Sequence, residues 1–339
     1  MSRTQAAPLS PDTPVLSAQG IRKDYGKRSF FGEASILTAV NDVSLDLMPG
    51  RTLGIVGESG CGKSTLSRIL VGITPATAGN VLVDGELVSQ ADRIVRGDRL
   101  ASIQMVFQSP AGSLDPRMRI DSIVGEPLDI SRPDLDRAAK RALVADMIRR
   151  VGLDLSHLSR YPHELSGGQQ QRVGIARALI TNPKVVICDE AVSALDVSVQ
   201  AQIINLLADI QQETGVSYLF ISHDLGVIAA IADEIAVMYM GRIVEQGAAR
   251  TVLAKPAHPY TSVLLDSSFV PDPRIEKQRL RATVDEPGHG FERPTQGCVF
   301  RPRCGIALPQ CASVRPELAA THHGDTRVAC HNYQANKRP

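Results

Sequence analysis

The sequence predicts an α/β fold: a doubly wound, mostly parallel core with an antiparallel β subdomain, a helical insert and a Cys-rich C-terminal extension. Three observations predict it. Short apolar runs of the kind buried on both faces of a sheet alternate with helix-period stripes. A glycine-rich loop joins one such run, Arg51 to Val56, directly to a helix. Four of the six cysteines crowd the C-terminal end.

The elements follow in order. Residues Val15 to Tyr25 and Ile36 to Leu47 alternate apolar and polar and read as antiparallel strands. Arg51 to Val56 is a buried strand, and its helix runs from about Lys63 to Val71. Val81 to Gly85 reads as a hairpin edge and Ser102 to Phe107 as another strand. Leu135, Ala139, Leu143, Met147 and Val151 recur every four residues and mark an amphipathic helix. With a helix after Gly168, this gives a helical insert over about 109–179. Strands return at Val185 to Cys188 and Tyr218 to Ser222, separated by a helix stripe of Val199, Ile203, Leu206, Leu207 and Ile210. Ile235 to Met240 and Ile243 to Gln246 close the core. Prolines and charges from Lys255 to Arg293 read as linker-like. The divisions expected are a disordered leader over 1–14, one domain over 15–247, and an extension over 248–339 whose cysteines span 298–330.

Composition narrows the function classes. A net charge of +1 gives no basic field for nucleic acid or an anionic membrane. No apolar run approaches the ~20 residues that cross a bilayer. The leader has no apolar core, so it does not read as a signal peptide. The expectation is a chain at the cytoplasmic face of the membrane, peripheral and held there by partners.

The chemistry starts at Gly57-Glu-Ser-Gly-Cys-Gly-Lys-Ser64, a full G-x-x-x-x-G-K-S match. Gly57, Gly60 and Gly62 let backbone amides close around phosphate oxygens, with Ser59 and Cys61 completing the loop. Lys63 reaches the β- and γ-phosphates, Ser64 ligates Mg²⁺, and Thr65 adds a phosphate hydrogen bond. Val185 to Glu190 is an apolar strand ending in two carboxylates. Asp189 suits Mg²⁺, and Glu190 suits the attacking water as general base. Without the upstream loop the pair would read equally well as solvent-facing charges. Gln108 closes the strand before the insert and can touch Mg²⁺ or water. His223, after the next strand, lies where such sheets bind ligands and suits the γ-phosphate, although a lone histidine is more often structural. Tyr25 is either a stacking platform for adenine or a surface aromatic. Leu165-Ser-Gly-Gly-Gln169 is a second glycine turn opening a second helix.

Taken together, Tyr25, the loop 57–64, Gln108, Leu165 to Gln169, Asp189-Glu190, Ser193 to Asp196 and His223 resemble the ATP-binding subunit of an ABC transporter. The resemblance implies two ATPase subunits facing head to tail. Ser166, Gly167, Gly168 and Gln169 would then serve the partner's ATP, with Asp196 at the same interface. Gly112 to Arg117, His258-Pro-Tyr-Thr261 and Cys298-Val-Phe-Arg-Pro-Arg-Cys304 are similar to the dipeptide/oligopeptide (peptide/nickel) importer branch. That branch implies two permease subunits, an extracytoplasmic solute-binding protein and a second, paralogous ATPase chain. Ala191 departs from the proline common there, beside the chemistry and not in it. The rival class is a soluble ABC-type ATPase with no membrane partner. Such relatives commonly carry two cassettes or a long coiled coil, which this chain lacks.

Cys298, Cys304, Cys311 and Cys330 are spaced C-x5-C-x6-C-x18-C. The tight C-x2–4-C pairs of structural zinc sites are absent. A [4Fe–4S] cluster, zinc and free thiols all stay open, with the cluster favoured by the branch resemblance and His322, His323 and His331 keeping a mixed Cys/His zinc site available.

Overall fold

Two sheets and the helices around them enclose two hydrophobic cores. The computed structural model describes residues 13–26, 36–94, 98–267, 294, 296–322, 324 and 326–336. Residues 1–12 of the expected leader, all of 268–293 and His323 lie outside the described residues. Strands β1 (Leu16–Gly26) and β2 (Ile36–Leu47) pair antiparallel, with Tyr25 opposite Leu37. Strand β3 (Thr52–Val56) is buried throughout and feeds α1 (Lys63–Leu70). Strands β4 (Ala78–Val83), β5 (Glu86–Gln90) and β6 (Arg93–Ile94) complete a sheet ordered β2-β1-β4-β5-β6. Asp84 and Gly85, with φ of 51° and 76°, make the tight turn between β4 and β5, the backbone form that suits a two-residue hairpin.

After α2 (Asp98–Ala101) and β7 (Ile103–Val106) comes the helical insert: α3 (Pro110–Ser113), α4 (Ile120–Ser131), α5 (Arg137–Arg150) and α6 (Gly167–Leu179). The core resumes with β8 (Val185–Asp189), α7 (Val197–Thr214), β9 (Ser217–Ser222), α8 (Leu225–Ile231), β10 (Glu234–Tyr239) and β11 (Arg242–Ala248). Helices α9 (Ala249–Ala254) and α10 (Pro259–Ser267) and strands β12 (Ala319–Ala320) and β13 (Thr326–Val328) follow. The second sheet is ordered β12-β13-β11-β10-β3-β9-β8-β7. Strands β10, β3, β9, β8 and β7 run parallel, so the carboxyl ends of β3, β9, β8 and β7 stand side by side.

Alternate residues of the parallel strands feed two separate cores. Ile55, Ile187 and Ile221 face the antiparallel sheet and α1. Val56, Cys188 and Phe220 face the helical insert and α7. This two-sided burial is what the continuous apolar runs predict.

Three expectations change. The stripe expected at every fourth residue coincides only in part with the buried face of α5. Val144, Met147, Ile148 and Val151 are buried while Leu143 is 42% exposed, because a strict four-residue repeat drifts around a 3.6-residue helix. The helix starts only after Asp136, whose carboxylate caps the Ala139 amide. Helix α4 contains Pro127, which masks it in the sequence. The segment expected as linker contains α10, whose start is held by a tertiary cap. The buried Glu245 carboxylate accepts from the Ala257 and His258 amides and the Thr261 hydroxyl, at 2.7, 2.9 and 2.6 Å. The C-terminal residues also join the core sheet: β13 pairs with β11, and the Ala329 amide donates to the Val244 carbonyl.

Candidate nucleotide site

The glycine loop leaves β3 in a conformation its glycines require. Gly57, Gly60 and Gly62 have φ of 158°, 77° and 110°. A Cβ on Gly62 would lie 2.3 Å from the Ala39 carbonyl oxygen, so β2 presses on the loop from outside. Helix α1 starts at Gly62 with no side-chain cap, leaving its first amides for a ligand. The Lys63 ammonium is buried and donates to the Gly57 and Glu58 carbonyls at 2.7 and 3.0 Å. Ser59 and Gly60 are exposed at the loop tip, Cys61 is buried beneath it, and Thr65 is half-buried on α1.

Asp189 ends β8 nearly buried. Its two oxygens accept from Ser64 at 3.1 Å and Ser67 at 3.0 Å. Burial pushes this carboxyl up, and the two hydroxyls oppose the rise. One hydroxyl and one carboxylate oxygen are the protein share that Mg²⁺ takes alongside phosphates and water. Ser67 is absent from the sequence-based candidates; its signal is its place one turn after Ser64 on α1.

Glu190, Gln108 and His223 come together although they follow three different strands. Gln108 Nε2 donates to Glu190 Oε2 at 2.8 Å, and His223 Nδ1 lies 3.6 Å from the same oxygen. Glu190 has φ of 49°, an uncommon backbone for a non-glycine residue, and its amide is tied to the Ile221 carbonyl at 2.9 Å. The carboxylate is thereby aimed along the carboxyl edge of the sheet. Burial pushes the neighbouring Cys188 thiol up to about 12, making it a packing residue.

The second glycine turn is built as a helix start. Ser166 Oγ accepts from the Gln169 amide, and Gln169 Oε1 accepts from the Ser166 amide at 2.9 Å, a capping box. Ser166 and Gly167 are exposed. Gly168 packs against α7, where a Cβ would meet Val199 Cγ1 at 2.6 Å. Among the described residues no hydrogen bond joins 166–169 to the loop 57–65. Asp196 is exposed at the start of α7 with no capping bond. Tyr25 is 44% exposed near the end of β1, with the Lys23 ammonium 5.4 Å from its ring centroid.

Beside Ser64 and Asp189 a cleft of about 810 Å³ opens between the core and the insert. Exposed Ile73, Phe107 and Ile130 line it together with Gln108 and Pro127.

The C-terminal cysteines give no support to the expected cluster or zinc site. Among the described residues no group of three or more His, Cys, Asp or Glu is arranged to hold a metal ion. Burial pushes the Cys298, Cys304 and Cys330 thiols up, the last to about 11. His331 bonds the Val314 carbonyl instead, and the His322 ring sits against Tyr333.

A phosphate loop, an acidic strand end and a separate, outward-facing glycine turn define the class: an ATPase of the ABC type. Residues 40–193 match the ABC transporter family model, and 244–311 match that of the oligopeptide/dipeptide transporter C-terminal region. The chain is 48% identical over 297 residues to the oligopeptide transport ATP-binding protein OppF of Escherichia coli K12, covering 86% of this chain and 88% of that one. It is 43% identical to the dipeptide transport ATP-binding protein DppF of the same organism, covering 99% of both. Among solved structures, the cassette MJ0796, described as a dimer bound to ADP and Pi after hydrolysis, matches with TM-score 0.60 and 29% identity over 69% of this chain and 99% of that one. The chain belongs to the ABC transporter ATP-binding subunits, in the oligopeptide/dipeptide group, and its activity is hydrolysis of ATP to ADP and phosphate. Among the described residues no helix is long and apolar enough to cross a membrane.

Proposed function

We propose that this chain is the ATP-hydrolysing motor of an importer for oligopeptides, dipeptides or related small solutes. It would work at the cytoplasmic face of the membrane with two permeases and an extracytoplasmic binding protein. The names of its relatives support the cargo class. In this reading the loop from Gly57 to Thr65 cradles the phosphates, and Ser64 and Asp189 hold Mg²⁺, with Gln108 in reach. Bound Mg²⁺ would neutralise charge on the β- and γ-phosphates. Glu190 takes a proton from the attacking water as the water oxygen bonds to the γ-phosphorus and the bond to the ADP oxygen breaks, leaving ADP and phosphate. His223 steadies the γ-phosphate and Tyr25 stacks on adenine.

The two glycine turns belong to different reactions. Ser166 to Gln169 would close on the ATP of a facing subunit, with Asp196 at that interface; the dimeric form described for MJ0796 supports this. The facing subunit is more consistent with a second, paralogous chain than with another copy. Closing and reopening would move permease helices seated in the cleft at Ile73, Phe107 and Ile130.

One observation carries the proposal: the Gln108–Glu190 bond, which ties that cleft to the hydrolytic carboxylate. Co-purification from detergent extracts tests it. Permease subunits should come down with the full-length chain, and ATPase activity should rise when the loaded binding protein is added. A chain that comes down alone and hydrolyses ATP unstimulated would support the soluble alternative.

The C-terminal cysteines form the finer part of the proposal, as ligands of a [4Fe–4S] cluster or, failing that, of zinc. The Cys298 amide donates to the Cys311 carbonyl at 2.9 Å, and Asn332 Nδ2, two residues after Cys330, donates to the Ile306 carbonyl, two residues after Cys304, at 3.1 Å; this convergence supports a shared ligand. Anaerobic purification with iron, sulfide and zinc assays tests it, and protein holding none of the three removes it.

A further inference from the structure

Glu58, the second residue of the phosphate loop, is held at three points. Its carbonyl accepts from Lys63 at 3.0 Å. Its amide donates to the Tyr260 hydroxyl at 2.8 Å. Its carboxylate accepts from Arg303 Nη1 at 2.8 and 3.0 Å. The first restraint is internal to the loop, and the phosphates compete for it when Lys63 turns to them. The other two come from beyond the core: Tyr260 from α10, Arg303 from the turn between Cys298 and Cys304.

Both groups are themselves firmly seated. Tyr260 is fully buried, and its ring lies 4.5 Å from Tyr239 and 5.6 Å from Phe300, centroid to centroid. Its amide donates to His258 Nδ1 at 3.0 Å, and the Glu245 cap fixes the turn that carries it. The Arg303 guanidinium stands 5.7 Å from the Phe300 ring and 6.0 Å from the Tyr239 ring, within cation–π range. The aromatic cluster therefore joins β10, α10 and the cysteine segment, and Tyr260 and Arg303 carry that block to Glu58.

We infer that Tyr260 and Arg303 are positioning residues for the phosphate loop, setting its nucleotide affinity from the C-terminal extension through Glu58. A loop that samples its binding form only part of the time binds with an affinity reduced by that fraction. The two restraints raise the fraction. The segment His258-Pro-Tyr-Thr261 thereby acquires a role, because His258 and Thr261 orient a hydroxyl that reaches the active-site loop. The inference rests on the assignment of residues 57–65 to the phosphates.

The test is Mg-ATP binding to the full-length chain by calorimetry, with thermal melting alongside. Tyr260→Phe keeps the ring and removes the hydroxyl; Kd should rise about 3- to 10-fold, the range of one neutral hydrogen bond. Arg303→Ala should raise Kd about 2- to 5-fold, less because the ion pair is partly exposed, and Arg303→Lys should recover part of the loss. The KM for ATP should rise in step while kcat stays within about 2-fold, since both residues act before chemistry. The discriminating arm is a double-mutant cycle: in a Glu58→Ala background, Arg303→Ala should have no further effect. Unchanged Kd in folded Tyr260→Phe and Arg303→Ala overturns the inference, as does an Arg303→Ala effect that persists in full without the Glu58 carboxylate. If Tyr260→Phe melts too low to assay, the Arg303 and Glu58 arms decide. Lys63→Ala separates the two levels: if it binds nucleotide like the unsubstituted chain, the loop assignment itself fails.

Discussion

Gln108 donates a 2.8 Å hydrogen bond to Glu190, joining residues that follow strands β7 and β8 and stand 82 positions apart. The same Glu190 oxygen faces His223 at 3.6 Å. A carboxylate bonded by an amide and flanked by an imidazole is oriented before a water arrives.

Glu190→Gln should keep the shape and lose the base. ATP hydrolysis should fall about 10²- to 10⁴-fold, the usual share of general-base catalysis. Mg-ATP binding should persist. Steady-state phosphate release and equilibrium binding on one preparation check both; hydrolysis at the parent rate would remove Glu190 from the role.

Ser166 is engaged with its own helix start and exposed, so its substitution should be felt across an interface. Ser166→Arg should leave nucleotide photolabelling of this chain's own loop unchanged. Hydrolysis in the assembled transporter should fall, and labelling of the facing subunit should weaken. Loss of labelling confined to this chain would reverse the assignment.

Gly62 is a loop position where an added methyl meets backbone. Its φ of 110° disfavours any L side chain, and the Cβ would lie 2.3 Å from the Ala39 carbonyl oxygen. Gly62→Ala should cost about 1–3 kcal/mol of stability and weaken nucleotide binding at the same time. Thermal melting and calorimetry read the two effects. Gly60→Ala makes a useful contrast, since nothing lies within 4 Å of its Cβ and only the backbone conformation opposes it.

His258 gives the fold an acid sensitivity. Burial lowers its folded pKa from 6.5 to about 3. Between those values the unfolded chain binds a proton that the folded chain refuses, so stability is complete above about 6.5 and falls as pH drops. One group contributes a slope of about 1.4 kcal/mol per pH unit in that window. Glu245, whose carboxyl burial pushes up, contributes with the opposite sign as pH rises through its raised value. The difference between the parent and His258→Asn isolates the histidine. The variant should lose less stability between pH 6.5 and 5 in denaturant titrations, and parallel pH profiles would contradict the assignment.

The core strands, the loop 57–64, the carboxylate pair and the glycine turn at Ser166 are legible in the chain because each is local. A buried parallel strand needs a continuous apolar run, and a phosphate loop needs glycines at set intervals before a helix. Helix α4 is hidden by Pro127, and the buried face of α5 departs from the expected stripe because local spacing does not say which side meets a core. Helix α10 is invisible because its cap, Glu245, is supplied from another strand.

Residue type and order alone established a nucleotide-binding α/β chain and which residues could do its chemistry. Tertiary packing alone decided who meets whom. Ser67 joined Ser64 on Asp189, Gln108 and His223 converged on Glu190, and Tyr260 and Arg303 reached Glu58 from 202 and 245 residues away. The four C-terminal cysteines are prominent in the sequence, but it is the arginine between two of them that reached the phosphate loop. The reason is physical: a motif records the backbone and side chains one segment needs, but a contact between distant segments exists only once their strands are in register and their cores are filled.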